Sequence, residues 1–86
     1  MKTLEYKVKD KNGIHARPAG TLVSAAKQFD SDITVSFGEK TADLKKIFAV
    51  MSLGVGFGDV ITFSFEGSDE DTAASTINDT LLRTGL

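Results

Sequence analysis

The 86-residue chain has no cysteine, no tryptophan, one tyrosine, one histidine and one proline. The missing cysteine excludes disulfides and thiolate metal sites, and one histidine does not make a zinc centre, so no metal and no cofactor is expected. Neither sign of charge dominates: ten Lys and Arg against twelve Asp and Glu leave −2, without the strong basic excess of a nucleic-acid binder. Long apolar runs are missing as well. No segment approaches the ~20 apolar residues needed to span a bilayer. Met1-Lys2-Thr3-Leu4-Glu5 has no apolar stretch behind its lysine, so it does not read as a secretory signal. A cytoplasmic protein without membrane insertion is the expectation. The sequence also shows no repeat, low-complexity tract or linker between domains. With 41% hydrophobic and 26% charged residues, the composition is that of a folded domain rather than a disordered segment. Its length suits one domain, residues 1–86, burying somewhat more than ~60% of the surface of the unfolded chain.

Apolar periodicity divides the chain into seven elements. Leu4, Tyr6 and Val8 alternate with Glu5, Lys7 and Lys9, the period-two pattern of a strand buried on one face. Asp10-Lys11-Asn12-Gly13 interrupts it. Asn12-Gly13 suits a hairpin, yet Ala19, Leu22, Val23 and Ala26 follow at i, i+3, i+4 and i+7, so the turn leads into a helix. That helix is expected to end near Phe29, before the turn-forming Asp30-Ser31-Asp32. Ile33, Val35 and Phe37 alternate as a second strand; Gly38-Glu39 forms a tight turn, and Lys40 to Asp43 pairs back as an edge strand.

Leu44, Ile47, Phe48 and Met51 make a second, short helical stripe that stops at Gly54, a residue suited to the left-handed C′ position. Lacking a good N-cap at Lys45 or Lys46, this helix depends on packing. Gly54, Gly56 and Gly58 read as a flexible connection. A nucleotide-binding glycine loop follows a strand and opens a helix; these glycines follow a helix and lead into a strand. Ile61, Phe63 and Phe65 mark the most hydrophobic strand, expected to be central. Gly67 ends it. Ser68 with Asp71 approximates a capping box for a last helix with Ala73, Ala74, Ile77 and Leu81 as its buried stripe and Arg83 and Gly85 at its end. The order is β-α-β-β-α-β-α. This α+β pattern should place the helices on one face of a four-stranded antiparallel sheet, because each helix and sheet has one apolar side to bury.

The stretch with the most chemistry is Gly13-Ile14-His15-Ala16-Arg17-Pro18, which holds the only histidine and the only proline. The periodicity from Ala19 onward puts His15 at a helix start, where backbone N–H groups lack intrahelical acceptors and favour an anion. A histidine offers an uncharged nucleophilic nitrogen near neutral pH. Arg17 adds a fork that suits phosphate, and Pro18 fits a first turn that needs no N–H. The N–H groups of Ala16 and Arg17 form the expected anion cradle. Together these residues suggest a nucleophile prepared to carry an anion.

The block Gly13-Ile14-His15-Ala16-Arg17-Pro18-Ala19, followed by Leu44-Lys45 and Ala49-Val50-Met51-Ser52-Leu53-Gly54, resembles the HPr family, the histidine phosphocarriers of the bacterial phosphoenolpyruvate:sugar phosphotransferase system. The likeness runs nearly end to end. It implies an open-faced β-sandwich with sheet order 1-4-2-3 and three helices on one face. It also implies a carrier, not an enzyme: His15 accepts a phosphoryl group, through Nδ1 in the family, from a phosphohistidine of Enzyme I and passes it to Enzyme II A domains. The residues alone do not choose between the two ring nitrogens. Asn12 is a candidate for orienting the imidazole, or a plain turn asparagine. On the family pattern Ile47, Phe48 and Met51 help form a docking surface, with Gly20 and Lys27 expected to belong to it. By itself an apolar helical stripe normally faces inward, so without the resemblance Ile47, Phe48 and Met51 all read as core. Lys27, Lys45 and Lys46 either steer acidic partners or simply solubilise the surface.

Many family members carry a kinase-modified serine where this chain has Lys46, so that regulatory serine is absent. A regulatory paralogue, or a partner of a different phosphotransferase branch, is therefore the alternative. A hydrolase built on one histidine would need an orienting third group and an oxyanion site, which no spacing here indicates. A carrier that docks with several partners in turn is expected to be a monomer.

Overall fold

The chain runs β1 (Lys2–Lys7), α1 (Ala16–Ala26), β2 (Asp32–Phe37), β3 (Lys40–Asp43), α2 (Ile47–Met51), β4 (Val60–Glu66) and α3 (Glu70–Thr84) in the computed structural model, which describes residues Met1–Leu86. The strands form one antiparallel sheet in the order β1-β4-β2-β3. β4 is central, as its composition predicts. It pairs on one side with β1, aligning Phe63 with Leu4 and Ile61 with Tyr6, and on the other with β2, aligning Phe63 with Val35 and Phe65 with Ile33. Because side chains alternate along a strand, this register gathers Ile33, Val35, Ile61, Phe63 and Phe65 on one face, where all are buried. The opposite face carries Thr34, Ser36, Thr62 and Ser64, half-exposed, and stays open.

The helices cover the apolar face. Ala19, Leu22, Val23 and Ala26 of α1 and Ala73, Ile77 and Leu81 of α3 are buried in the same core as the strands. Full burial of a large apolar side chain contributes about 1.5–3 kcal/mol, so the two β4 phenylalanines alone tie the central strand firmly to the helical layer.

Four local expectations need correction. First, α1 ends at Ala26 rather than near Phe29. The N–H groups of Gln28 and Phe29 bond to the carbonyls of Ala25 and Ala26 at 3.2 Å, so the chain tightens into three-residue turns after the α-helix stops. Second, the stripe Leu44, Ile47, Phe48 and Met51 is not the buried face of α2. Asp43 closes a turn by accepting the N–H of Lys45 on its carboxylate (2.9 Å) and that of Lys46 on its carbonyl (3.0 Å). This sends Leu44 into the core before the helix begins. The buried residue of α2 is Val50, with Leu53 just after it, while Phe48 is 79% and Met51 36% exposed.

Third, Ser68 and Asp71 do not form a capping box. The N-cap is Asp69, and its carboxylate accepts the N–H groups of Asp30 and Ser31 (both 2.9 Å) and the Ser31 hydroxyl. Ser31 is wholly buried against Gly67 and its polar groups need an acceptor. Glu70 takes the N–H of Gly67 instead. Fourth, the glycine-rich segment after α2 is not a slack connector. Gly58 donates to the Val8 carbonyl (2.9 Å), Val8 to that of Asp59 (2.9 Å), and Gly56 to the Asp59 carboxylate (2.8 Å). Gly54 and Gly58 make the reversals with φ of +71° and +84°.

Candidate functional site

The connection from β1 to α1 is built by backbone hydrogen bonds from three sides. Leu86, folded back beyond the left-handed Gly85 that ends α3, is buried, and its carbonyl oxygen accepts the N–H groups of Lys9 and Asp10, the latter at 2.8 Å. Asp10 then closes a turn on itself: its carbonyl accepts the Gly13 N–H (3.0 Å) and its Oδ1 the Asn12 N–H (2.9 Å). Gly13 takes φ +65°, and a Cβ there would lie 2.2 Å from the Val55 carbonyl oxygen, so the chain passes where only glycine fits. Ile14 donates to that same carbonyl (3.1 Å) and buries its side chain.

With both sides of the loop anchored, His15 emerges as the N-cap of α1 in an extended conformation (φ −109°, ψ −174°). The first helical bond runs from the Ala19 N–H to the His15 carbonyl (3.1 Å). Pro18 has no N–H, so the N–H groups of Ala16 and Arg17 are left at the helix end without helical acceptors. This is the pair expected to cradle an anion. No side chain caps them.

The imidazole is 40% exposed, and its Nε2 lies 3.2 Å from Asp10 Oδ2. The backbone N–H of Asn12 first, and then the hydrogen bond to His15, hold the Asp10 carboxyl below the ordinary carboxylate range, so it is ionised at neutral pH. Asn12, a candidate for orienting the ring, makes no bond to it; it acts one step away, through its backbone on Asp10. The Arg17 side chain is exposed and has no hydrogen-bond or ion-pair partner within the chain. Asp10, Asn12, His15, Arg17, Pro18, Thr21 and Thr84 line an open cleft of about 300 Å³ with no hydrophobic lining residue. That suits a small polar group rather than an apolar ligand. Nowhere do three side chains of metal-ligating type come together.

The residues expected to dock partners divide between two places. Gly20 faces α2, where a Cβ would stand at an ordinary contact distance, 3.7 Å, from Ile47 Cδ1, so α2 lies beside the start of α1. Ile47 is half-buried there, leaving Phe48 and Met51 outward, with Lys46 exposed at the N-cap of α2. Lys27 lies at the far end of α1, roughly 18 Å along the helix from His15 at 1.5 Å per residue. Asp10, Thr21 and Thr84 are the cleft residues that reading the chain missed. An Asx turn over Asp10-Lys11-Asn12 was a legible signal for the first; Thr84 comes from the opposite end of the chain and carried none.

Comparison with known proteins gives one consistent answer. The family model "PTS HPr component phosphorylation site" matches residues 2–82. A histidine-containing phosphocarrier protein from Mycoplasma superimposes with a TM-score of 0.97 at 38% identity, covering 99% of this chain and 97% of its own. HPr from Thermoanaerobacter tengcongensis gives 0.90 at 40% identity, covering 99% and 94%. Crh from Bacillus subtilis, a catabolite repression protein solved as a swapped dimer, gives 0.77 at 31% identity, covering 100% and 99%.

Proposed function

From the premise that the chain belongs to the HPr family of phosphotransferase-system proteins, we propose that it accepts a phosphoryl group on His15 from phospho-Enzyme I and delivers it to Enzyme II A domains during sugar uptake. The family consists of phosphocarriers, not catalysts. The observation that carries the proposal is the half-exposed imidazole at a helix end with two free N–H groups beside it and an unpartnered Arg17 two residues on.

Phosphoryl transfer needs positioning and neutralisation of spread negative charge more than extra bond-making groups. Here the N–H groups of Ala16 and Arg17 supply fixed donors and the Arg17 guanidinium a mobile one. The attacking nitrogen is Nδ1, a choice supported by the engagement of Nε2 with Asp10. The cleft is open, so two partners can reach the same nitrogen in succession. Phe48 and Met51, exposed on the helix that packs on Gly20, form an apolar patch that either partner would cover. The working form in this role is a monomer, because the same face must serve a donor and then an acceptor.

The test is intact-mass measurement after incubation with phosphoenolpyruvate and Enzyme I. One acid-labile phosphate is expected, absent in His15→Ala; no phosphate from an Enzyme I that is active on another HPr would overturn the assignment. Lys46 supports a second reading, in which the chain is a regulatory paralogue or serves a different branch. It stands exposed where a family kinase site would lie and cannot accept a phosphate ester. Under that reading His15 stays unmodified in the same assay.

A further inference from the structure

We propose that Asp10 is a positioning residue for the carrier reaction: its carboxylate fixes the His15 tautomer with a lone pair on Nδ1 and neutralises the imidazolium that phosphorylation creates. The inference rests on the carrier reading of His15. The ionisable side chains lining the cleft are Asp10, His15 and Arg17, and α3 contributes only the threonine Thr84. Asp10 is therefore the one anionic side chain facing the ring in the cleft. An ionised carboxylate only accepts hydrogen bonds, so the nitrogen 3.2 Å away, Nε2, must hold the proton. The lone pair is then on Nδ1.

The carboxylate is itself held for this task. Asp10 donates its N–H to Leu86, accepts the Gly13 N–H on its carbonyl and the Asn12 N–H on Oδ1, leaving Oδ2 for the imidazole. Loss of proton affinity in the carboxyl, caused by the Asn12 and His15 bonds, keeps it anionic.

During transfer the Nδ1 lone pair forms the new P–N bond while the donor's P–N bond breaks, its electron pair remaining on the donor's nitrogen. The Nε2 proton does not move. The ring therefore gains a positive charge at the moment its Nε2–H faces the Asp10 carboxylate, and that ion pair favours the phosphorylated form.

Two substitutions separate this role from loop building. In Asp10→Asn the single amide oxygen takes the Asn12 N–H, as Oδ1 does now, and the amide nitrogen turns toward Nε2. A donor there demands a lone pair on Nε2, places the proton on Nδ1 and removes the nucleophile. Asp10→Ala leaves the ring to its own tautomer preference. We expect transfer from phospho-Enzyme I to slow by roughly tenfold or more in Asp10→Asn and by less in Asp10→Ala, in kcat with KM unchanged, since Asp10 touches the ring and not the partner. Imidazole ¹⁵N NMR of the neutral ring should show the Nε2–H tautomer in the unsubstituted protein and a shift toward Nδ1–H in Asp10→Asn.

Unchanged rates and ¹⁵N shifts in Asp10→Asn would overturn the proposal, and so would an alanine variant slower than the asparagine one. If the unsubstituted protein is not phosphorylated on His15, the carrier reading falls, while the ¹⁵N tautomer still decides whether Asp10 sets the ring.

Discussion

Replacing Gly13 with alanine tests how the loop before His15 is held. The residue has φ +65°, and for an L side chain left-handed backbone costs about 1 kcal/mol or more. The added Cβ would sit 2.2 Å from the Val55 carbonyl oxygen and 2.7 Å from the Gly56 Cα, both backbone atoms with no rotamer to change. The loop must therefore move by about 1 Å away from the wall made by Val55 and Gly56, a shift that breaks the 3.1 Å bond from Ile14 to Val55 at a further ~1 kcal/mol. Unpacking Ile14 and Val55, only 8% and 5% exposed, adds about another. The expected loss is about 3 kcal/mol. At ~0.05–0.15 kcal/mol per residue a domain of this size has roughly 4–13 kcal/mol in total, so the midpoint of thermal unfolding should drop by about 12–24 °C. Gly38→Ala is the control: φ is +62° but nothing lies within 4 Å of the added carbon, so only the ~1 kcal/mol backbone term applies. Urea unfolding of both variants, followed by circular dichroism, measures the difference. Equal destabilisation of the two would refute the claim that the Val55 wall sets the path of the loop.

Arg17→Glu should slow phosphoryl transfer by at least tenfold while leaving the unfolding midpoint in place, because the guanidinium has no partner in the chain and the new charge repels the phosphoryl group; an unchanged transfer rate would remove Arg17 from the site. Acid unfolding should reveal Asp69, whose carboxyl is held below the ordinary value of 3.8 mainly by the Ser31 hydroxyl and then by the Asp30 N–H. A carboxylate with a depressed folded-state pKa contributes stability above its unfolded value and loses it as pH falls through the folded one. The unfolding free energy should therefore decline below about pH 4, and Asp69→Ala should flatten that slope, leaving the share of Asp10, which is depressed in the same range; an unaltered slope would show the Ser31 network to be energetically idle. On α2, Phe48→Ala should change stability by less than about 0.5 kcal/mol yet raise KM for Enzyme I. Val50→Ala, at a side chain 1% exposed, should cost about 2 kcal/mol. The reverse pattern would mean that the helix presents its other face.

Much of the architecture is local and so was determined by the sequence alone. Alternation in β1, β2 and β4 and the 3.6-residue stripes of α1 and α3 depend on which side chains avoid water, a property each residue carries by itself. The same holds for His15 at a helix start with Pro18 behind it, since a residue without an N–H is tolerated where no helical acceptor exists. Tertiary structure decided whatever depends on partners distant in the chain. Phe48 and Met51 read as one stripe with Leu44, but the turn closed by Asp43 puts Leu44 outside the helix and turns Val50 inward. Asp69 looked like one acid among several in a first turn until the buried Ser31, 38 residues earlier, required an acceptor. Asp10 looked like a turn residue. Its carboxylate reaches His15 because Leu86, at the other end of the chain, and Val55, in the loop after α2, hold the two sides of the connection, and only a closed fold brings those three segments together.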